Sequence, residues 1–239
     1  MTRDLEHFEL LNTSSQLRRA AQHAFEFYGE AIPLAECQEV VTESHDLLAR
    51  TAKIKHHLVP LAERWSIDRL RRLGILANRL SHGALEVLFV DHHDTATAPM
   101  AAALLTGYAR GRVNADSAGH SPGDAVHPAA VEAMADTGID LGQAFPKPLT
   151  PDALQAADVI ILLDDVPEPT DLADPVSQRR AVAGRQVRRW DVDDLAACGS
   201  LTATAVQDAR DDLDHRVLLL LADLLSPHRP SPPPPAPQP

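Results

Sequence analysis

Residues 91–97 carry the side chains of this chain that are best suited to chemistry. Carboxylates and imidazoles exchange protons near neutral pH, and hydroxyl and loop N–H groups donate hydrogen bonds to a bound ligand. An acid–base site is therefore one hypothesis, and its catalytic candidates are Asp91, His92, His93 and Asp94. The ligand-binding candidates in the same segment are Thr95, Ala96 and Thr97.

A strand and a helix must position this segment. The apolar residues 87–90 predict a short buried strand of a parallel sheet, and Pro99 suits the first turn of the alanine-rich helix that follows. In a strand–loop–helix arrangement, the N–H groups of the loop and of the helix N-terminus converge on one point. The backbone pattern therefore predicts a loop that is built to bind an anion.

Further motifs resemble those of the low-molecular-weight protein tyrosine phosphatase family, especially its arsenate reductase branch. Together they span about 140 residues in the family's order and spacing. The resemblance implies an α/β fold with a four-stranded parallel sheet flanked by helices. After the loop, the matching segments are 117–119 (S-A-G), 126–131 (V-H-P-A-A-V), 138–141, 147–150 (K-P-L-T), 157–163 and 190–194 (W-D-V-D-D).

The loop departs from this family at the two residues that carry its chemistry. The family has V-C-x5-R here, with a thiolate nucleophile and an oxyanion-binding arginine, whereas this chain has Asp91 and Thr97 at those positions. Cys37 and Cys198 lie outside the family's cysteine positions. We therefore expect neither tyrosine phosphatase nor arsenate reductase activity. The resemblance also implies that Asp194 takes the place of the family's general acid.

Three hypotheses remain open for the altered loop. Asp91 and Asp94 repel an incoming anion, at about 1 to 4 kcal/mol for a like-charge contact near 4 Å, and the Asp91 carboxylate can itself occupy the ring of N–H groups. The loop is then a rebuilt acid–base site, a decayed site that binds a ligand or protein partner without turnover, or a metal site. The sequence favours the first, an acid–base enzyme that acts on a small molecule, and the non-catalytic binding protein is the alternative. Because four adjacent residues rarely converge on one ion, we expect no metal, and we expect no cofactor.

The rest of the chain divides into three further segments. Four stripes of apolar residues at helical spacing predict a small helical bundle over residues 15–82, which resembles the domain ahead of some actinobacterial arsenate-reductase-like proteins. A flexible N-terminus (1–14) precedes it, the α/β domain spans 83–225, and a disordered Pro-rich tail spans 226–239. The stripes must pack on the α/β domain or on a second copy of the chain, which would form a homodimer.

Composition narrows the classes of partner. The net charge of −12 argues against nucleic acid, and the chain has no apolar run long enough to cross a membrane. Two separated cysteines and the lack of a signal peptide at the N-terminus favour a reducing cytoplasm. The expected partner is therefore a small-molecule ligand in the cytoplasm.

Overall fold

The computed structural model describes most of the chain. The described ranges are 2–51, 58–163, 165–167, 186–192, 195 and 202–226, with residues 2–12 described by their backbone. Asp194, Cys198 and the predicted Pro-rich tail beyond Ser226 lie outside the described residues.

A helical domain forms the N-terminal part of the chain. Its elements are α1 (Thr2–Tyr28), a 3₁₀ turn (Gly29–Ala31), α2 (Leu34–Thr51) and α3 (Leu58–Leu76). The main core cluster of this domain includes Ala20, Ala21, Ala24, Ile32, Val40, Val41 and Leu70. The backbone is already helical from Thr2, whereas the sequence analysis expects a flexible segment over residues 1–14. This stretch contains neither glycine nor proline, the two residues that oppose a helix most strongly.

The second domain is built on a four-stranded parallel sheet, which confirms the predicted fold class. The strand order is β2-β1-β3-β4. The strands are β1 (Leu85–Asp91), β2 (Val113–Gly119), β3 (Val159–Leu163) and β4 (Gln186–Trp190). The helices are α4 (Thr97–Ala109), α5 (Pro128–Ala135), α6 (Pro151–Ala156) and α7 (Ala203–Leu225).

Helices cover both faces of the sheet, which explains why residues 87–90 are apolar without alternation. Val87 and Phe89 point into a large core shared with α4, α5 and α7, whereas Leu88 and Val90 pack against α6 on the other face. No helix in the described ranges is both long and apolar enough to cross a bilayer. The two-sided burial fixes β1 in the sheet and places the loop after Asp91 at the carboxyl edge, where ligands bind in such folds.

Helix α3 joins the two domains. Trp65 and Ala62 of α3 form a small core with α2, and Phe145 of the α/β domain packs against that core. Four arginines of α3 also reach acceptors in the α/β domain, namely Arg64, Arg69, Arg71 and Arg72. The apolar stripes therefore pack mainly on one another, and the cluster around Trp65 also meets Phe145 of the α/β domain. The predicted packing on the α/β domain is thus seen at one apolar residue, and the homodimer stays a prediction.

Candidate functional site

The carboxylate of Asp91 occupies the centre of the loop between β1 and α4. Its Oδ1 accepts hydrogen bonds from the backbone N–H of His93 (3.0 Å) and of Asp94. Its Oδ2 accepts from the Thr97 hydroxyl (2.9 Å) and from the N–H of Ala98 (3.0 Å). A carboxylate has about four lone-pair sites, so all of them are used. The side chain acts as a built-in anion, as the sequence analysis considered.

Two opposing effects set the ionisation of Asp91, which is only 4% exposed. Burial raises the pKa of this carboxyl above its ordinary value, whereas the hydrogen bonds from Ala98, Asp94, Thr97 and His93 lower it. Each of these four donors favours the charged form. A proton on either oxygen would have to displace one of them, so the four donors favour the carboxylate and oppose the effect of burial.

Asp94 supports the loop from inside. It lies in the left-handed region with φ of 52°, which aspartate tolerates better than most residues, and it is fully buried. Its Oδ2 accepts a hydrogen bond from the N–H of Lys147 at 2.7 Å, while Oδ1 has no partner among the described residues. Burial raises the pKa of Asp94 to about 7, Lys147 lowers it, and the charge of Asp91 raises it further.

Gly119 at the end of β2 allows the loop to pack this closely. A Cβ atom at this position would lie 2.9 Å from the carbonyl carbon of His93 and 3.0 Å from the nitrogen of Asp94. Both contacts are with backbone atoms, which cannot move aside cheaply. The glycine of the Ser-Ala-Gly motif is therefore a steric requirement of the loop.

Lys147 is a residue of this candidate site that the sequence analysis did not single out. Its ammonium group lies 3.7 Å from Asp94 Oδ2 and 3.3 Å from Asp116 Oδ1, so it supplies a positive charge beneath the loop. Burial lowers the pKa of Lys147, but Asp116 and Asp94 outweigh burial and raise the pKa above its ordinary value. In the sequence, Lys147 was noted only as the first residue of the family-like segment 147–150 (K-P-L-T). The parallel bridge between Gly119 and Pro148 brings it to the loop.

The histidines lie on the outer side of the loop. The ring centroids of His92 and His93 are 6.0 Å apart, and those of His92 and His120 are 6.4 Å apart. His93 Nδ1 lies 2.9 Å from the carbonyl oxygen of Ser121. Across the described ranges, no three His, Cys, Asp or Glu side chains are arranged to hold a metal ion. The structure thus brings three imidazoles to the rim of the loop.

The predicted ligand-binding residues face different surroundings. Thr97 is buried and its hydroxyl is already committed to Asp91. Ala96 is also buried, and its carbonyl accepts a hydrogen bond from the N–H of Met100, in the first turn of α4, at 3.0 Å. Thr95 is half-buried, and its carbonyl accepts the N–H of His127 at 2.7 Å. Thr95 is therefore the one of the three with an accessible side chain.

Known proteins resemble both domains. Residues 86–193 match the model of the family described as low molecular weight phosphotyrosine protein phosphatase. Residues 17–74 match the model described as protein-tyrosine-phosphatase-like, N-terminal domain.

Solved structures resemble the chain to different extents. The thioredoxin-dependent arsenate reductase Cg_ArsC1' of Corynebacterium glutamicum is 28% identical with a TM-score of 0.70, over 87% of this chain and 96% of that one. A YwlE mutant from Bacillus subtilis is 25% identical with a TM-score of 0.49, over 59% of this chain and 99% of that one. The low molecular weight protein tyrosine phosphatase from T. tengcongensis is 20% identical with a TM-score of 0.47, over 59% and 100%.

These matches agree with the domain order of the fold. The Corynebacterium structure extends over both domains, and the two family models meet near the junction of α3 and β1. The α/β domain is therefore similar to the low-molecular-weight phosphotyrosine protein phosphatase family, and the helical domain is similar to the N-terminal domain of phosphatase-like proteins.

Proposed function

We propose that this chain is a non-catalytic member of its family, which binds a small-molecule ligand or a protein partner through the outer side of the loop. The observation that supports this most strongly is the saturation of Asp91. The N–H groups that would hold an oxyanion already hold a side-chain carboxylate of the same chain. A second anion would be repelled by this charge, and the three N–H groups that hold Asp91 would not be free to bind it.

The family's own chemistry is not part of the proposal. The Corynebacterium relative is a thioredoxin-dependent arsenate reductase, and the family mechanism needs a thiolate and an arginine, for which this chain has Asp91 and Thr97. Lys147 compensates part of the negative charge from below. Its contacts are to Asp94, Asp116 and Ser117, however, so it does not replace an arginine that faces a ligand.

An acid–base enzyme that acts on a small molecule is the second candidate, and His93 favours it. Because a carbonyl oxygen only accepts hydrogen bonds, the contact with Ser121 assigns the proton of a neutral His93 to Nδ1 and leaves Nε2 as the basic nitrogen. Asp91 could then act only through its field, since its oxygens are saturated. The predicted role of Asp194 belongs to this candidate as well, at a position outside the described residues.

The decisive experiment removes the Asp91 carboxylate from the ring of N–H groups. Asp91→Ala removes the built-in anion and frees three backbone N–H groups, so the variant should bind inorganic phosphate in the millimolar range, measured by calorimetry and by a rise in Tm. The unchanged protein should show neither phosphate binding nor turnover of p-nitrophenyl phosphate or arsenate. Asp165→Ala is the matched control, because it removes one exposed carboxylate just beyond β3 and leaves the loop filled.

Phosphate binding by the unchanged protein tests whether Asp91 fills the loop, and a second measurement separates the binding protein from the acid–base enzyme. Phosphate binding by the unchanged protein as strong as by Asp91→Ala would contradict self-occupation of the loop. Incubation with a metabolite extract, followed by mass spectrometry, distinguishes binding from catalysis. A retained compound of unchanged mass supports the binding proposal, whereas a converted compound whose formation is lost in His93→Gln supports the acid–base enzyme.

A further inference from the structure

We infer that helix α3 of the helical domain positions the loop of the α/β domain, through Arg72, Asp116 and Lys147 acting as a chain of charged contacts. Arg72 and Lys147 are the positioning residues, and Asp94 is the group of the loop on which they act. The inference goes beyond the proposed function, because it concerns what holds the loop and not what the loop binds.

The first contact crosses between the domains. The Arg72 guanidinium, with a side chain only 5% exposed, forms a short ion pair through Nη2 with Asp116 Oδ2 in β2. Its Nη1 lies 3.9 Å from Asp152 Oδ2 of α6. A buried guanidinium with two carboxylates has a narrow choice of positions, since any displacement would leave a charge without its partner.

The second contact links Asp116 to Lys147, whose ammonium group lies beneath the loop. Asp116 lies between two cations, with Oδ2 on Arg72 and Oδ1 at 3.3 Å from the ammonium group of Lys147. Burial raises the pKa of Asp116, but Lys147 and Arg72 outweigh burial, so the pKa lies below its ordinary value. Both cations therefore share the Asp116 carboxylate. A change at one cation alters the electrostatic attraction between Asp116 and the other.

The third contact ends at Asp94. The Lys147 ammonium lies 3.7 Å from Asp94 Oδ2, and the Lys147 N–H donates to that same oxygen at 2.7 Å. Asp94 in turn donates its own N–H to Asp91. The charges that face Asp94 from its surroundings are those of Lys147 and Asp91. Lys147 therefore sets both the position and the charge balance of the loop interior.

A second set of contacts fixes the segment that carries Lys147. The Arg64 guanidinium of α3 lies 4.7 Å from the ring centroid of Phe145 and donates to Gln143 Oε1 at 2.7 Å. The N–H of Gly119 donates to the carbonyl of Lys147 at 2.8 Å. The segment before α6 is thus held by α3 on one side and by the end of β2 on the other, so α3 acts on it at two points.

The test measures Asp94 in the full-length protein by ¹³C NMR titration, with the Asp94→Asn spectrum used for assignment. In Arg72→Gln, Asp116 keeps only Lys147 as a cation and draws its ammonium away from Asp94. The pKa of Asp94 should then rise by roughly half a unit to one unit, as expected for a unit charge that retreats by about 1 Å at an effective dielectric near 20. Amide hydrogen exchange of His93 and Asp94 should accelerate in the same variant.

Arg71→Gln is the matched control. Arg71 precedes Arg72 in α3 and also bridges the domains, but its partner is Glu86. The Glu86 carboxylate contacts Arg71 and Asn114 and, within the described part of the chain, no residue of the loop. This variant should lower stability without moving the Asp94 titration. Equal shifts in the Arg71 and Arg72 variants would mean that the loop responds to general loosening of the interface, and the inference would then be wrong.

A double-mutant cycle decides whether Lys147 carries the effect. Lys147→Met should raise the pKa of Asp94 by itself, and adding Arg72→Gln should raise it no further. Additive shifts, or a folded Arg72→Gln protein whose Asp94 titrates as in the parent, would overturn the inference. If Arg72→Gln does not fold, Arg72→Lys replaces it; the shorter side chain keeps the charge, and a smaller shift in the same direction is expected.

Discussion

The carboxylate at position 91 changes what the loop N–H groups can do. In a loop of this geometry, three backbone N–H groups and one hydroxyl surround a single point, and here that point is a covalently attached anion. A ligand would have to displace a group that cannot diffuse away, so its effective concentration is always high. The proposed loss of the family's activity rests on this arrangement, because the residue at the position that resembles the family's nucleophile also fills the ring of N–H groups.

Asp94 makes the stability of the protein depend on pH. An unfolded aspartate titrates near pH 4, whereas burial raises the pKa of folded Asp94 to about 7. A raised folded-state pKa stabilises the folded state below pH 4, and this contribution is lost as the pH rises through 7. Asparagine suits the left-handed backbone equally well but does not titrate. Between pH 4 and pH 8, the free energy of unfolding of the parent should therefore fall relative to that of Asp94→Asn, by up to about 4 kcal/mol.

Urea denaturation at pH 4 and pH 8 measures this difference. Asp165→Asn serves as the control, because its carboxylate is exposed and should leave the pH dependence as in the parent. A parallel pH dependence of the parent and Asp94→Asn would show that Asp94 is ionised in the folded protein over the whole range.

At the level of residues, the sequence predicted the loop but not its internal partners. The strand–loop–helix pattern and the two acids were enough to place Asp91 in the ring of N–H groups. The commitment of the Thr97 hydroxyl to Asp91 follows from a side-chain rotamer, which no spacing rule supplies. The approach of Lys147 depends on the pairing of Gly119 with Pro148, a tertiary contact between segments that are distant in sequence.

The secondary-structure element that links the two domains is α3, and its arginines are not equivalent. Arg69 is 4% exposed and lies 3.0 Å from Asp152, which is 5% exposed, whereas Arg79 just beyond the helix pairs with Glu36 at the surface. Arg69 also donates to Ser44 of α2 at 3.1 Å. A buried pair of this kind fixes how α3 and α6 lie against each other, although its net contribution to stability is set by desolvation.

Breaking the buried pair should be far more costly than breaking the exposed one. Arg69→Met leaves Asp152 charged and buried without its main partner, so we expect a loss of about 3 to 5 kcal/mol in the free energy of unfolding. Arg79→Met should lose less than about 1 kcal/mol. Urea denaturation measures both. The double change Arg69→Met with Asp152→Leu should recover most of the loss, and a double variant that is weaker than Arg69→Met would contradict this account.

The helices and strands were predicted more completely than their contacts. The apolar run 87–90 lies within β1, and the stripes assigned to residues 15–82 are the faces that α1, α2 and α3 bury. The interdomain arginines were not recognised, because Arg69 and Arg72 look in sequence like the polar face of a helix. Only the position of their partners at 116 and 152, in the other domain, distinguishes them from solvated charges.

At the scale of the whole molecule, charge complementarity joins two domains within an acidic chain. The net charge is −12, yet four arginines are gathered on the single helix that faces the α/β domain. Glu86, Asp116 and Asp152 receive three of them on the other side. The helical domain therefore supplies a cation to each of these carboxylates and also packs on Phe145, while Asp116 has a second cation, Lys147, in its own domain.

Removal of the helical domain should expose this dependence. A truncated chain of residues 83–226 loses the arginines and leaves several carboxylates close together, so its Tm should fall by roughly 10 °C or more, with lower solubility. Adding Asp116→Asn and Asp152→Asn to the truncated chain neutralises two of these groups and should raise its Tm again, while the same pair of changes should lower the Tm of the full chain. Differential scanning calorimetry compares the four proteins. The two substitutions should change the Tm in opposite directions in the truncated and full chains only if α3 stabilises the carboxylates. A truncated chain that melts at the temperature of the full chain would show that the α/β domain is stable without the helical domain.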